Sequence, residues 1–169
     1  MKAIDVINNW IENISRQECW AVAAGGCVGT AFTMQLGERT KRTTPLKNPT
    51  FSESQRLFES SFSLYAQDSH WILGTERPDR VTKITDSNDD YSPDGAIANG
   101  LQSLVGNFVS SAEYDPKTHD LDLFFQEDGL RLKVFGAVSA GATAYSLFLP
   151  TQVVSVEGGG VGVEIERRQ

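Results

Sequence analysis

The chain is short of the residues on which most enzyme and metal chemistry depends. Among 169 residues it has two cysteines, Cys19 and Cys27, and two histidines, His70 and His119. No Cys-x-x-Cys pair occurs, and so few soft ligands give no basis for a zinc site. No serine stands in a Gly-x-Ser-x-Gly elbow, and neither cysteine has a histidine near it in the chain. GGCVGT, Gly25–Thr30, lacks the Lys-Ser/Thr of a phosphate loop and leads into a strand, so it offers no helix N-terminus to a phosphate. It reads as a hairpin turn. These gaps point away from an enzyme, a metal and a cofactor.

Long apolar runs are also missing. No segment approaches the roughly 18 apolar residues that span a bilayer. The N-terminal stretch MKAIDVINNWIENISRQE is broken by Asp5, Asn8, Asn9 and Glu12, which argues against a secretory leader. The expectation is a cytoplasmic chain with no membrane partner and two reduced, buried thiols. A bridge between Cys19 and Cys27 across a strand-turn-strand is the alternative.

What is present is ordinary globular composition: 40% apolar, 9% aromatic and 22% charged residues, in a length that suits a single domain, 1–169. The net charge of -7 is unevenly placed. Residues 1–85 hold ten Lys/Arg against nine Asp/Glu, and residues 86–169 hold five against thirteen, a balance of -8. An acidic half repels phosphate backbones, which argues against direct nucleic-acid binding. It fits either a merely solvated surface or one that attracts a basic protein.

The most legible stretch is DLDLFFQEDGLRLKVFG, Asp120–Gly136. Side chains alternate across a strand, so Leu121, Leu123, Phe125, Leu130, Leu132 and Val134 form an apolar face. The opposite face carries Asp120, Asp122 and Phe124, then Arg131, Lys133 and Phe135. Glu127-Asp128-Gly129 supplies the turn. This carboxylate group reads as a solvated face and turn in preference to an acid/base pair.

Similar runs occur in both halves. GTAFTMQLG matches DLDLFFQ, SFSLYAQ matches LRLKVFG, HWILGTE matches TAYSLFLP, and RVTKIT matches QVVSVE. Each set follows a helix-like segment. One has Ile4, Ile7, Ile11 and Ile14 at helical spacing, joined by Val6 and Trp10; the other has Ile97, Leu101 and Leu104, with Ser92 as N-cap, Pro93 in the first turn and a stop at Gly106. The fold class is therefore α+β and mostly antiparallel β: two tandem helix-plus-meander repeats sharing one core, 1–86 and 92–166, joined by the linker 87–91. The first half alone carries an insertion, 37–61, with Arg39, Lys41, Arg42, Lys47 and Arg56. It reads as a functional elaboration or a solvated tether, with a short helix capped by Ser52. Trp10, Trp20 and Trp71 read as core aromatics, with an exposed aromatic surface at Trp71 as the alternative.

CWAVAAGGCVGTAFTMQLGE, the strand near HWIL, and LVGNFVSSAEYDPKTHDLDLFFQEDGLRLKVF together resemble the small immunity proteins of polymorphic-toxin and contact-dependent growth inhibition systems. The resemblance spans roughly Trp20–Glu157, is closest in the second half, and does not extend to the insertion after Gly37. It implies a cytoplasmic inhibitor that binds a cognate basic toxin domain, commonly a nuclease and here of ribonuclease type, and caps its active site or substrate groove. Phe124 and Phe135 would then be anchors ringed by Asp120, Asp122, Glu127 and Asp128, with Asp89 and Asp90 of the linker as further acidic contacts. The alternative is that both rings pack under a helix or the other meander. A carbohydrate or small-ligand module and a hydrolase assembled from distant residues are the other functional classes left open.

Overall fold

A computed structural model of the chain describes residues 2–49 and 51–164, with side chains through residue 161 at the C-terminal end. The expected end of the second half, residue 166, lies outside the described residues. Three helices, α1 (Ala3–Ile14), α2 (Glu53–Leu57) and α3 (Ala96–Gln102), accompany eleven strands. These are β1 (Cys19–Ala24), β2 (Phe32–Lys41), β3 (Phe58–Ala66), β4 (Trp71–Arg77), β5 (Arg80–Asp86), β6 (Val109–Tyr114), β7 (Leu121–Phe125), β8 (Leu130–Val134), β9 (Thr143–Phe148), β10 (Val153–Glu157) and β11 (Gly160–Glu164). All pairings between strands are antiparallel, and the fold is α+β.

The strands form two sheets that enclose one core. One has the order β1-β2-β3-β9-β10-β11, the other β5-β4-β8-β7-β6. Each half keeps its first three strands as an antiparallel meander but sends the strands after them to the facing sheet, which corrects the expectation of one continuous meander per half. The first half gives β1–β3 to one sheet and β4–β5 to the other; the second half gives β6–β8 and β9–β10 the opposite way round. The helices follow the same exchange: α1 packs on β6 and the β9–β11 edge, and α3 packs on β1 and β5.

The reason lies in the corners. A two-residue turn at Pro78–Asp79 keeps β4 and β5 as a hairpin, but the chain leaves β3 by a longer segment. There Gln67 N and Asp68 N donate to the carbonyls of Ala144 and Thr143 at 2.9 and 3.0 Å, fastening β3 to β9. The next strand is then free to enter the facing sheet. On the other side Phe135 N donates to His70 O at 2.9 Å, where β8 meets the start of β4.

The faces predicted from alternation are the faces observed. Leu121, Leu123, Phe125, Leu130, Leu132 and Val134 are all buried, as are Ile7, Trp10, Ile14, Ile97, Leu101 and Leu104. Trp71 is a core residue, its indole N–H donating to Thr30 O at 2.8 Å and its ring meeting Phe32 edge-on at 5.2 Å. Both cysteines are free thiols; Cys19 is buried and Cys27 exposed.

Three further details correct the sequence reading. Helix α3 starts at Ala96, with Gly95 as N-cap, and not at Ser92. Asp90 captures both the backbone N–H and the hydroxyl of Ser92, at 2.9 and 2.8 Å, so Ser92 closes a turn and is not available as a cap. The basic insertion is no tether: β2 and β3 continue as a ladder to Lys41↔Phe58, and α2 is capped by Ser52 through a reciprocal bond pair with Gln55, as its sequence predicts. Strand β11, drawn from a glycine-rich stretch of low strand propensity, was not anticipated.

Among the described residues no helix is long and apolar enough to cross a membrane.

Candidate functional site

The five-stranded sheet turns one face to the core and the other to solvent. Two cross-strand rows define the outer face, read from β5 to β6. The first is Asp86, Ile72, Lys133, Asp122 and Glu113; the second is Lys83, Gly74, Arg131, Phe124 and Ser111. Asp120 and Phe135 continue the alternation of β7 and β8 beyond the first row. The exchange of strands is what builds this surface, because it sets β4 and β5 of the first half beside the β7–β8 hairpin of the second.

The charges on the face are largely matched to each other. Asp122 Oδ1 accepts from Arg131 Nε at 2.8 Å, and Arg131 Nη1 donates to Glu76 Oε2 at 2.7 Å. Lys133 Nζ lies 3.3 Å from Asp120 and 3.8 Å from Asp122, while the backbone N–H of Gly136 donates to Asp120 Oδ1 at 3.0 Å. Arg131 stands over the ring of Phe124 and Lys133 over that of Phe135, at 5.3 and 5.2 Å from the centroids. The hydrogen bond to Asp122, helped by Glu76, holds the Arg131 proton more firmly than usual. Asp120 and Asp122 are thus side chains of a paired lattice, with the two phenylalanine rings half-buried beneath its cations.

Between β5, β4 and β8 the face is hollowed into a groove of about 550 Å³. Ile72, Val81 and Phe135 give it apolar walls, and Lys83, Arg131 and Lys133 add cationic ones. Val81 is 76% exposed, the most exposed large apolar residue described. Gly74 keeps the floor open: a Cβ there would stand 2.8 Å from the carbonyl oxygen of Thr82, beside an irregularity in the β4–β5 ladder.

The other sequence candidates are placed less uniformly. Glu127 and Asp128 are exposed in the β7–β8 turn, Asp128 lying 3.7 Å from Arg77. Asp89 reaches the groove rim indirectly, since one of its oxygens lies 3.2 Å from Lys83 Nζ. Its other oxygen accepts from Asp86 N and Thr85 Oγ1, and these bonds, the backbone one first, hold its carboxyl below the usual range. Asp90 is likewise lowered, by the backbone N–H and then the hydroxyl of Ser92. Asp89 and Asp90 therefore serve the linker's own turns. Ile72, Gly74, Val81 and Lys83 were not singled out from the sequence, because only the strand exchange brings them to the hairpin.

No protein-family model matches this chain, and no similar protein was found among curated proteins or solved structures. Any functional assignment therefore rests on the surfaces themselves. His70 Nδ1 lies 3.3 Å from Ser87 Oγ, and His119 Nδ1 lies 2.6 Å from Tyr114 OH. Among the described residues no group of three or more His, Cys, Asp or Glu is arranged to hold a metal ion.

Proposed function

We propose that this chain is an immunity protein that binds a cognate basic toxin domain of ribonuclease type. It does so through the outer face of the five-stranded sheet, in the cytoplasm, without turnover or cofactor, and it blocks the toxin's active site or substrate groove stoichiometrically. The observation that carries the reading is the groove itself: an apolar centre of Ile72, Val81 and Phe135 set in a frame of paired charges. Such an arrangement suits an interface, whose buried centre favours aromatic and apolar contacts while its rim stays polar. Pairing within the face also orders Arg131 and Lys133 in advance, which reduces the side-chain entropy lost on association.

Steering comes from the acidic second half, with Glu113 and Glu127 exposed at the margins of the face. Complementary charge of this kind acts chiefly on the rate of encounter. Strand β5 also has no strand on its outer side among the described residues, whereas β10, in the corresponding place of the other sheet, is covered by β11. The partner therefore meets an apolar groove with an open edge beside it. The test is to measure binding of the toxin domain to variants Val81→Ser and Phe135→Ala, with faster dissociation expected in both.

A second reading, a small-ligand module, is favoured by one observation. The groove volume falls within the roughly 300–1,000 Å³ usual for ligand sites. Saturable binding of a small molecule that Phe135→Ala abolishes, with no toxin partner found, would support it.

A further inference from the structure

Along the β4–β5 hairpin burial falls away toward the turn. Leu73 and Thr85 are fully buried, Thr75 and Thr82 half-buried, and Arg77 and Arg80 exposed. Residues directly opposed in an antiparallel pair point to the same side, and so do residues two apart. The pairs Thr75↔Thr82 and Arg77↔Arg80 therefore share one face, the reverse of the face that carries Glu76 and Val81. These two threonines and two arginines line a hollow of about 250 Å³. It is built by the hairpin alone, just past the buried pair Leu73↔Thr85.

The fold compensates the charge of this hollow poorly. Like charges set directly opposite across a ladder destabilise it, and Arg77 and Arg80 are such a pair. Alternation sends Glu76 to the other face, where Arg131 holds it at 2.7 Å. Asp128 comes only to 3.7 Å from Arg77 Nη2, with both side chains more than half exposed, and such a contact is weak. Among the described residues Asp79 in the turn pairs with neither arginine, the Arg80 side chain has no partner, and the Thr75 and Thr82 hydroxyls are unbonded. Two guanidinium forks and two hydroxyls that can rotate to donate are thus left to offer. A tetrahedral oxyanion matches them, because each guanidinium can bond two of its oxygens at once.

We propose that this face of the hairpin binds a phosphate group, as inorganic phosphate or a small phosphate monoester, between Arg77 and Arg80, with the Thr75 and Thr82 hydroxyls donating to it. The bound dianion relieves the repulsion between the two arginines, so it stabilises the fold by mass action. The hollow lies on the reverse side of the hairpin from the groove, and the site does not depend on the partner assignment.

The test titrates inorganic phosphate, glycerol 3-phosphate and acetate separately into the full chain, at constant ionic strength and slightly above neutral pH. The backbone ¹H–¹⁵N resonances of Thr75, Arg77, Arg80 and Thr82 should move saturably with at least one of the two phosphates, and little with acetate. Those of residues 115–118, which carry the exposed Lys117, should stay in place. The phosphate that binds more tightly identifies the form the site takes. Arg80→Gln should weaken binding roughly tenfold or more, and Thr82→Val severalfold. Arg80→Gln also removes the like-charge pair, so without phosphate its thermal midpoint should equal or exceed that of the parent. Phosphate should raise the parent's midpoint and leave the variant's in place. The proposal is overturned if neither phosphate gives a saturable shift at the hairpin, if acetate acts as strongly, if residues 115–118 respond in parallel, or if Arg80→Gln or Thr82→Val binds as the parent does.

Discussion

Arg131 donates to Asp122 at 2.8 Å across the β7–β8 hairpin, with its side chain one-third exposed and that of Asp122 mostly buried. The pair lies diagonally, since Asp122 directly faces Lys133 in the ladder. Partial exposure limits its worth to about 1 kcal/mol or less. A double-mutant cycle with Asp122→Ala and Arg131→Ala, followed by urea unfolding, should give a coupling of that size that shrinks as salt is raised. A salt-independent coupling would mean that the pair is more deeply sequestered than its geometry indicates.

The same pair changes how steering must be tested. Asp122→Lys would set a third cation beside Arg131 and Lys133, so any loss of binding would be mixed with damage to the face. Glu127→Lys and Glu113→Lys avoid this, because both side chains are exposed and Glu127 precedes the left-handed turn residues Asp128 and Gly129. These reversals should slow association with a basic toxin domain and weaken its salt dependence, leaving the unfolding midpoint nearly unchanged. By contrast, Val81→Ser should act on dissociation, at a cost of at least about 1 kcal/mol if Val81 sits within the interface. Stopped-flow association and surface dissociation measurements separate the two effects.

Because the halves exchange strands, neither should fold alone. Strand β4 pairs with β8 as well as β5, and β3 with β9 as well as β2, so a fragment of residues 1–90 lacks one neighbour of each. Expressed separately, fragments 1–90 and 91–169 should each show weak, non-cooperative circular dichroism, and mixing them should restore a cooperative transition. A fragment that folds cooperatively by itself would contradict the interlocked core.

The local parts of this fold were legible because alternation and helical spacing are local signals. Leu121 to Val134 sorted into faces correctly, and Ile97 and Leu101 gave the buried stripe of α3, with Leu104 buried in the turn that follows it. Pairing partners were not legible. Nothing in SFSLYAQ says that Tyr65 will face Ser146 instead of a residue of β4. The site was half visible for the same reason: the hairpin face was read from Asp120 to Phe135, while Ile72 and Val81 reached it only by tertiary exchange. Charge pairing was equally hidden, since Glu76 reaches Arg131 from 55 positions away.

The two thiols should behave differently. Burial pushes the Cys19 thiol from an ordinary 9.0 up to about 12, whereas Cys27 is exposed. In native protein a disulfide-exchange reagent should titrate one thiol quickly, and two only after denaturation. Below pH 9 both folded and unfolded states keep the Cys19 proton, so it adds no pH dependence. As pH rises from about 9 toward 12 the unfolded state ionises first, and the Cys19 contribution to stability falls by up to about 1.4 kcal/mol per pH unit. The difference in unfolding free energy between parent and Cys19→Ala should therefore be flat below pH 9 and decline above it.

The most direct test of the proposed role is a titration of toxin activity. A basic ribonuclease domain offered as the proposed partner is held at a concentration well above the expected dissociation constant, and its activity is measured as the protein is added. Stoichiometric capping predicts a linear fall to a sharp break near one equivalent, unchanged by longer incubation. Undiminished activity in the presence of excess protein, or complete and progressive loss far below one equivalent, would contradict the account.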